Sequence, residues 1–247
     1  MAGTATGFRC VTLAPAVWTS LGDAVATVRA GGWGLLDAGH GLDASDSPQA
    51  VIEELVDRAS GAAGLPGLAV DLSDTEELPE ADRLQVIDHV LLVRLPVGTP
   101  WDDCQHLFTC PDRVLLLQPG SIADLCRYGE ACRAGSVQVD GWVVAGNETR
   151  GSDSGNSVFV EAQRALANTD QPVFVQGGLG PRATQALRAM GAAGAILDDV
   201  LARMPQAPGL FQSQEQPIDE FSRRGAARQV PRGPDPIAPP PTYLAKH

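Results

Sequence analysis

The chain has 247 residues, a formal net charge of −12, and 44% hydrophobic but only 5% aromatic side chains. That charge argues against a nucleic-acid backbone or an anionic membrane surface as partner, and no apolar run approaches the ~20 residues that cross a bilayer. Five cysteines without a Cys-x-x-Cys pair read as reduced thiols of a cytoplasmic protein with no disulfide and no metal role, and no secretory signal is expected at the N-terminus.

The apolar residues are mostly Val, Leu, Ala and Ile, which suits a buried parallel sheet. Phe8 to Leu13 reads as a first strand. Thr19 to Ala30 reads as a helix, with Thr19 or Ser20 as N-cap and Gly31-Gly32 as its stop. Trp33 to Asp37 is the second strand. Ser47-Pro48 opens a helix through Ala59, with Pro48 at the first helical position. Leu68 to Leu72 is strand three, Glu80 to Ile87 a short helix, and Val90 to Leu95 strand four. A weak helical region, Trp101 to Phe108, precedes strand five, Val114 to Gln118. A helix from Ser121 to Ala134 leads to strand six, Val139 to Ala145, and a helix from Ser157 to Asn168 leads to strand seven, Val173 to Gln176. Pro181 to Met190 is the next helix and Ala195 to Leu197 strand eight. Eight strands alternating with helical segments predict an α/β fold, a single (β/α)₈ TIM barrel over residues 1–204. The runner-up is an open doubly wound sheet, which usually has fewer strands.

From Pro205 the composition changes. Nine of the 19 prolines lie between Pro205 and Pro241, so residues 205–247 are expected to be an extended Pro-rich linker or tail. The negative charge resides almost wholly in the barrel part, because the tail's acids and bases nearly balance.

The richest stretch runs from strand six to strand eight: Gly146-Asn147-Glu148, then Pro172-Val173-Phe174-Val175-Gln176-Gly177-Gly178-Leu179-Gly180, then Gly191-Ala192-Ala193-Gly194-Ala195-Ile196-Leu197-Asp198. Glycines at strand C-termini that open onto helices are how a parallel barrel builds an anion-binding rim. These residues resemble the nitronate monooxygenase (2-nitropropane dioxygenase-like) family of FMN barrels, and most closely the branch attached to type I polyketide and polyunsaturated fatty acid synthases. Val11-Thr12-Leu13-Ala14-Pro15 and Ala30-Gly31-Gly32-Trp33-Gly34-Leu35-Leu36-Asp37 also fit that branch. The resemblance spans about residues 8–200 and is specific in strands six to eight.

The resemblance implies an oxidoreductase of nitronate monooxygenase or enoyl reductase type. FMN would lie over the C-terminal mouth, held by Gly146, Asn147, Gln176, Gly177, Gly178, Gly180 and Asp198. The substrate would be a small molecule or a thioester-bound chain, and the partners an acyl carrier protein or other synthase domains. The residues depart from the family in three places. Its loop histidine after strand six falls on Ser152, its strand-three lysine on Asp71, and its strand-eight Gly-Thr pair on Asp198-Asp199. Carboxylates within about 6 Å of a phosphate weaken its binding unless a cation intervenes. Three residues are therefore candidates for catalysis: Glu148 at the end of strand six, His40 between glycines after strand two, and Arg150, two residues before the expected slot. For Glu148 the alternative is a hydrogen bond to backbone N–H groups of the next loop. Arg94 and Gln118 also end strands and are expected at the mouth. The alternative function is a flavin-free barrel acting as a docking module or as a cofactor-independent lyase or isomerase.

Overall fold

The computed structural model describes residues 7–15, 21–37, 48–72, 89–108, 113–135, 137–149 and 155–198. His40, Arg150, Ser152, Asp199, the expected helix Glu80 to Ile87 and the Pro-rich tail lie outside the described residues.

Eight strands form a closed, wholly parallel barrel in chain order: β1 (Arg9–Pro15), β2 (Trp33–Asp37), β3 (Leu65–Asp71), β4 (Val90–Arg94), β5 (Val114–Gln118), β6 (Gly141–Ala145), β7 (Val173–Gln176) and β8 (Gly194–Leu197). Strand β8 closes onto β1, pairing Gly194 with Arg9 and Leu197 with Thr12. Closure excludes the open sheet. The described helices are α1 (Leu21–Arg29), α2 (Pro48–Arg58), α3 (Trp101–Cys104, continued by a 3₁₀ turn over Gln105–Phe108), α4 (Ile122–Ala134), α5 (Val158–Leu166) and α6 (Pro181–Met190).

Side chains alternate along each strand, so one set faces the barrel axis and the other the helices. The axial set is Val11, Leu13, Trp33, Leu35, Ala69, Val90, Leu92, Leu116, Val143, Phe174 and Ile196, all buried in one cluster. Trp33 and Phe174 stack with ring centroids 5.4 Å apart, although β1 and β8 separate their strands, so the contact crosses the lumen. Phe174 has room because Gly194, opposite it on β8, and Gly141, two residues before its partner on β6, carry no side chain. A Cβ on Gly141 or Gly194 would lie 2.6 Å from its ring. Arg9 sits 5.8 Å over Trp33 at the lower end. The outward set, including Leu36, Leu68, Leu91, Val93, Leu117, Trp142 and Val175, packs under the helices.

Strand β3 begins at Leu65, three residues before its expected start. The Pro66-Gly67 pair reads as a breaker, but here it lies within the ladder, with Pro66 opposite Gly34 and Gly67 opposite Val90. A Cβ on Gly67 would lie 2.4 Å from the Val90 carbonyl oxygen, so glycine is what lets β3 and β4 approach. Helix α1 stops at Gly31, whose φ of +84° suits glycine, and its N–H donates to Val28 O. Helix α4 starts from the expected Ser121, whose Oγ accepts the Asp124 N–H at 3.1 Å.

Candidate functional site at the barrel mouth

Extending the inward alternation to the strand C-termini places Asp37, Asp71, Arg94, Gln118, Ala145, Gln176 and Asp198 on one ring at the mouth. The side-chain bonds agree. Arg94 Nη2 donates to Asp37 Oδ2 at 2.6 Å, and Arg94 Nη1 lies 3.6 Å from Asp71 Oδ2. Asp37 and Arg94 sit on strands that β3 separates, so their bond runs across the lumen wall rather than along a ladder. All three side chains are 11–17% exposed, so this Asp–Arg–Asp group is largely withdrawn from water. Arg94 and Gln118 were expected at the mouth from sequence. The pairing of Arg94 with two aspartates was not foreseen, and the register that makes it possible (Asp71 opposite Arg94) follows only from the strand starts.

On the other side, Gln176 Nε2 donates to Asp198 Oδ2 at 3.0 Å. Gln176 is 4% exposed, and its Oε1 is buried without a hydrogen-bond partner. Gln118 Oε1 is likewise buried and unpartnered. Because Asp198 needs a donor, the Gln176 amide is fixed with its oxygen left over. The mouth therefore presents surplus acceptors. A ligand seated there has to supply hydroxyl or N–H donors.

The loop after β6 is tied to the end of β7. Thr149 Oγ1 donates to Gln176 O at 2.9 Å and Gly146 N–H to the same carbonyl at 3.3 Å. Thr149 carried no signal in the sequence. Glu148 Oε2 accepts the backbone N–H of Val158, the first residue of α5, at 2.9 Å. Its carboxylate thus satisfies an otherwise unpaired N-terminal donor and opposes the positive end of the helix, which is the second of the two roles read for it. Gly146 belongs to the same packing, for a Cβ there would meet Val158 N and Glu148 Oε2 at 2.3 Å. A Cβ on Gly177 would approach Val158 Cγ2 at 3.2 Å. Asn147 is exposed, and its N–H donates to Asn156 O.

Gly178 and Gly180 differ from these two glycines. A Cβ on Gly180 meets nothing within 4 Å, and one on Gly178 only the Glu148 Cβ at 3.9 Å. Neither N–H has an acceptor among the described residues. Gly180 is the N-cap of α6, without a side-chain cap, and Pro181 is the first helical residue. This turn leaves backbone donors and a helix N-terminus open beside the buried Gln176, which is what a phosphate needs. The structure therefore brings together Gly146, Asn147, Glu148, Gln176, Gly177, Gly178, Gly180 and Asp198 on β6, β7, β8 and their loops. Among the described residues no group of three or more His, Cys, Asp or Glu side chains is placed to hold a metal.

No protein-family model matches the chain, and no curated protein sequence does. Solved structures do resemble it. FabK from Thermotoga maritima superposes with a TM-score of 0.57 at 21% identity, over 79% of this chain and 59% of that one. The N-acetylmannosamine-6-phosphate 2-epimerase from Clostridium perfringens gives 0.53 at 16% identity, over 83% and 92%. The YdjI aldolase from Escherichia coli K12 gives 0.55 at 13%, over 88% and 85%. These likenesses show the fold, a (β/α)₈ barrel. The chain spans about three fifths of the length of FabK.

Proposed function

We propose that the chain is a flavin-type oxidoreductase barrel that binds FMN at its C-terminal mouth and acts on a thioester-bound acyl chain in a polyketide or fatty acid assembly line. The observation that carries this reading is the open Gly178–Pro181 turn beside a buried, unpartnered Gln176 oxygen. FabK, an FMN-dependent enoyl reductase, is among the structural neighbours, which supports the reading. The residues present fit the phosphate and ribityl parts of FMN. The Gly178 and Gly180 N–H groups and the N-terminus of α6 would hold the phosphate, while Gln176 and Gln118 would accept from ribityl hydroxyls. When bound, FMN supplies two-electron transfer to or from carbon. The chain's own part is to close the barrel beneath the ring site with the Trp33–Phe174 stack and to hold the mouth rigid through the Asp37–Arg94–Asp71 group. His40 and Arg150 are proposed as catalytic residues from their loops. Glu148 is proposed as a catalytic residue through the oxygen that does not cap α5. A cytoplasmic chain with an acyl carrier protein as partner completes the proposal.

The test is absorbance near 450 nm in the purified full chain, or titration of colourless protein with FMN. Binding that weakens at least tenfold in Gly180→Asp supports the reading. Protein that stays colourless and takes up no FMN overturns it.

A second reading, the flavin-free lyase or isomerase, is favoured by Arg94. It is the one cation among the described C-terminal strand ends, and its guanidinium is engaged by two aspartates. Binding of a sugar phosphate by a protein that ignores FMN would select this reading.

A further inference from the structure

We propose that the cleft between α4 and the segment Leu166–Gln171, on the flank of the barrel and apart from the mouth, binds a small zwitterion of the free amino acid type. The cavity has a volume of ≈ 270 Å³, close to the lower end of small-molecule sites. Its apolar wall is Leu125 and Leu166, and its polar rim includes Arg133, Asp170 and Gln171.

Three independent observations converge on this cleft. Two exposed residues of opposite charge, Arg133 and Asp170, line it without an ion pair between them. Arg133 spends its Nε on the Gly129 carbonyl at 3.2 Å, and neither the rest of its guanidinium nor the Asp170 carboxylate is bonded among the described residues. A ligand that carries both signs completes both groups, with its carboxylate on Arg133 and its ammonium on Asp170. A polar atom at the site is also unsatisfied. Gln171 Oε1, in the cavity wall, is buried with no partner. A buried acceptor of this kind calls for an outside partner. Under the cleft floor the fully buried Trp142 ring turns its Cζ2 toward Gly129. Finally, Gly129 sits inside a 13-residue helix, where glycine is the least favourable residue apart from proline. A Cβ there would meet only Trp142 Cζ2, at an ordinary 3.9 Å. Packing does not demand the glycine, which lines the cleft.

The test is calorimetric titration of the full chain with glycine, L-leucine and L-glutamine. N-acetyl-L-leucinamide, isovalerate and isoamylamine serve as probes lacking one or both charges. Saturable binding is expected for at least one zwitterion, at least tenfold tighter than for the neutral and singly charged probes. Arg133→Gln and Asp170→Asn should each weaken it at least fivefold with unchanged melting temperature. Gly129→Ala should raise the melting temperature of the unliganded chain while weakening binding. Tryptophan fluorescence from Trp142 should change on titration, and in Gly129→Ala the change should need a higher ligand concentration. No saturable binding by any of the three zwitterions, or equal binding by Arg133→Gln and Asp170→Asn, overturns the proposal. FMN uptake at the mouth is read at 450 nm, so its presence or absence leaves this outcome untouched.

Discussion

Each polar residue at the mouth does one definable thing. Arg94 bridges two carboxylates whose side chains are 11% and 17% exposed and offsets one of their two charges. Removing a partner from a largely buried ionic group leaves charge without compensation. Arg94→Gln is therefore expected to cost roughly 2–4 kcal/mol in urea denaturation at neutral pH. Arg94→Lys should recover only part of this, because an ammonium cannot present two fixed N–H groups to two acids. Glu148 separates capping from catalysis through its substitutions. Glu148→Ala should lose about 1 kcal/mol of stability with the cap to Val158. Glu148→Gln keeps an acceptor oxygen, so most of that stability should return. Activity that falls in both variants would assign Glu148 a proton-transfer role in addition, while activity that tracks stability would confine it to the helix. The buried thiols are a contrast. Burial, aided by the Asp103 charge, pushes Cys104 up to about 11, and burial does the same for Cys132. Both are therefore poor nucleophiles at neutral pH.

At the scale of an element, helix α4 shows how one acid organises a junction. Asp124 is 2% exposed and accepts from the Ser121 hydroxyl, the Gly98 N–H and Arg127. It thereby fastens the loop after β4 to the helix N-terminus. Burial alone would raise its pKa, but the hydrogen bonds from Ser121, Arg127 and Gly98, with the Arg127 charge, outweigh this and lower it. A carboxyl depressed in the folded state adds stability at pH values above its unfolded pKa of about 3.9. That stability is lost as pH falls through the lower, folded value. Stability measured against pH should thus fall less steeply on the acid side in Asp124→Asn than in the wild type, the variant being less stable at pH 7. Equal acid slopes in the two proteins would contradict this assignment. The helix was legible from Ser121 onward, and the structure makes Ser121 its N-cap. The start of β3 was not readable, since Pro66 and Gly67 signal a turn locally, and only the contact with Val90 on β4 explains them.

The whole barrel was legible because its two periods are simple. Strands of four to seven residues alternate with helical segments, and the period of two along each strand already fixes which residue ends on the axis. That parity accounts for Asp37, Asp71, Arg94, Gln118, Gln176 and Asp198 sharing one ring. Which of them pair is a matter of register between strands distant in sequence, and nothing local encodes it. The same limit explains the glycines after β6 and β7. Gly146 and Gly178 look alike in sequence, yet the first is required by α5 and the second is open.

Charge acts on the molecule as a whole. With a formal net charge of −12 on 247 residues, like charges outnumber ion pairs, and self-repulsion favours expansion. Arg94 is shielded from salt by its burial, whereas exposed pairs such as Arg58–Glu54 contribute little at any ionic strength. Screening should therefore relieve repulsion more than it weakens attraction. Raising sodium chloride from about 0.02 to 0.3 M, which shortens the Debye length from roughly 20 to 6 Å, should raise the melting temperature by a few degrees. A melting temperature that falls with salt would mean that ion pairs, and not net repulsion, dominate the electrostatics of this barrel.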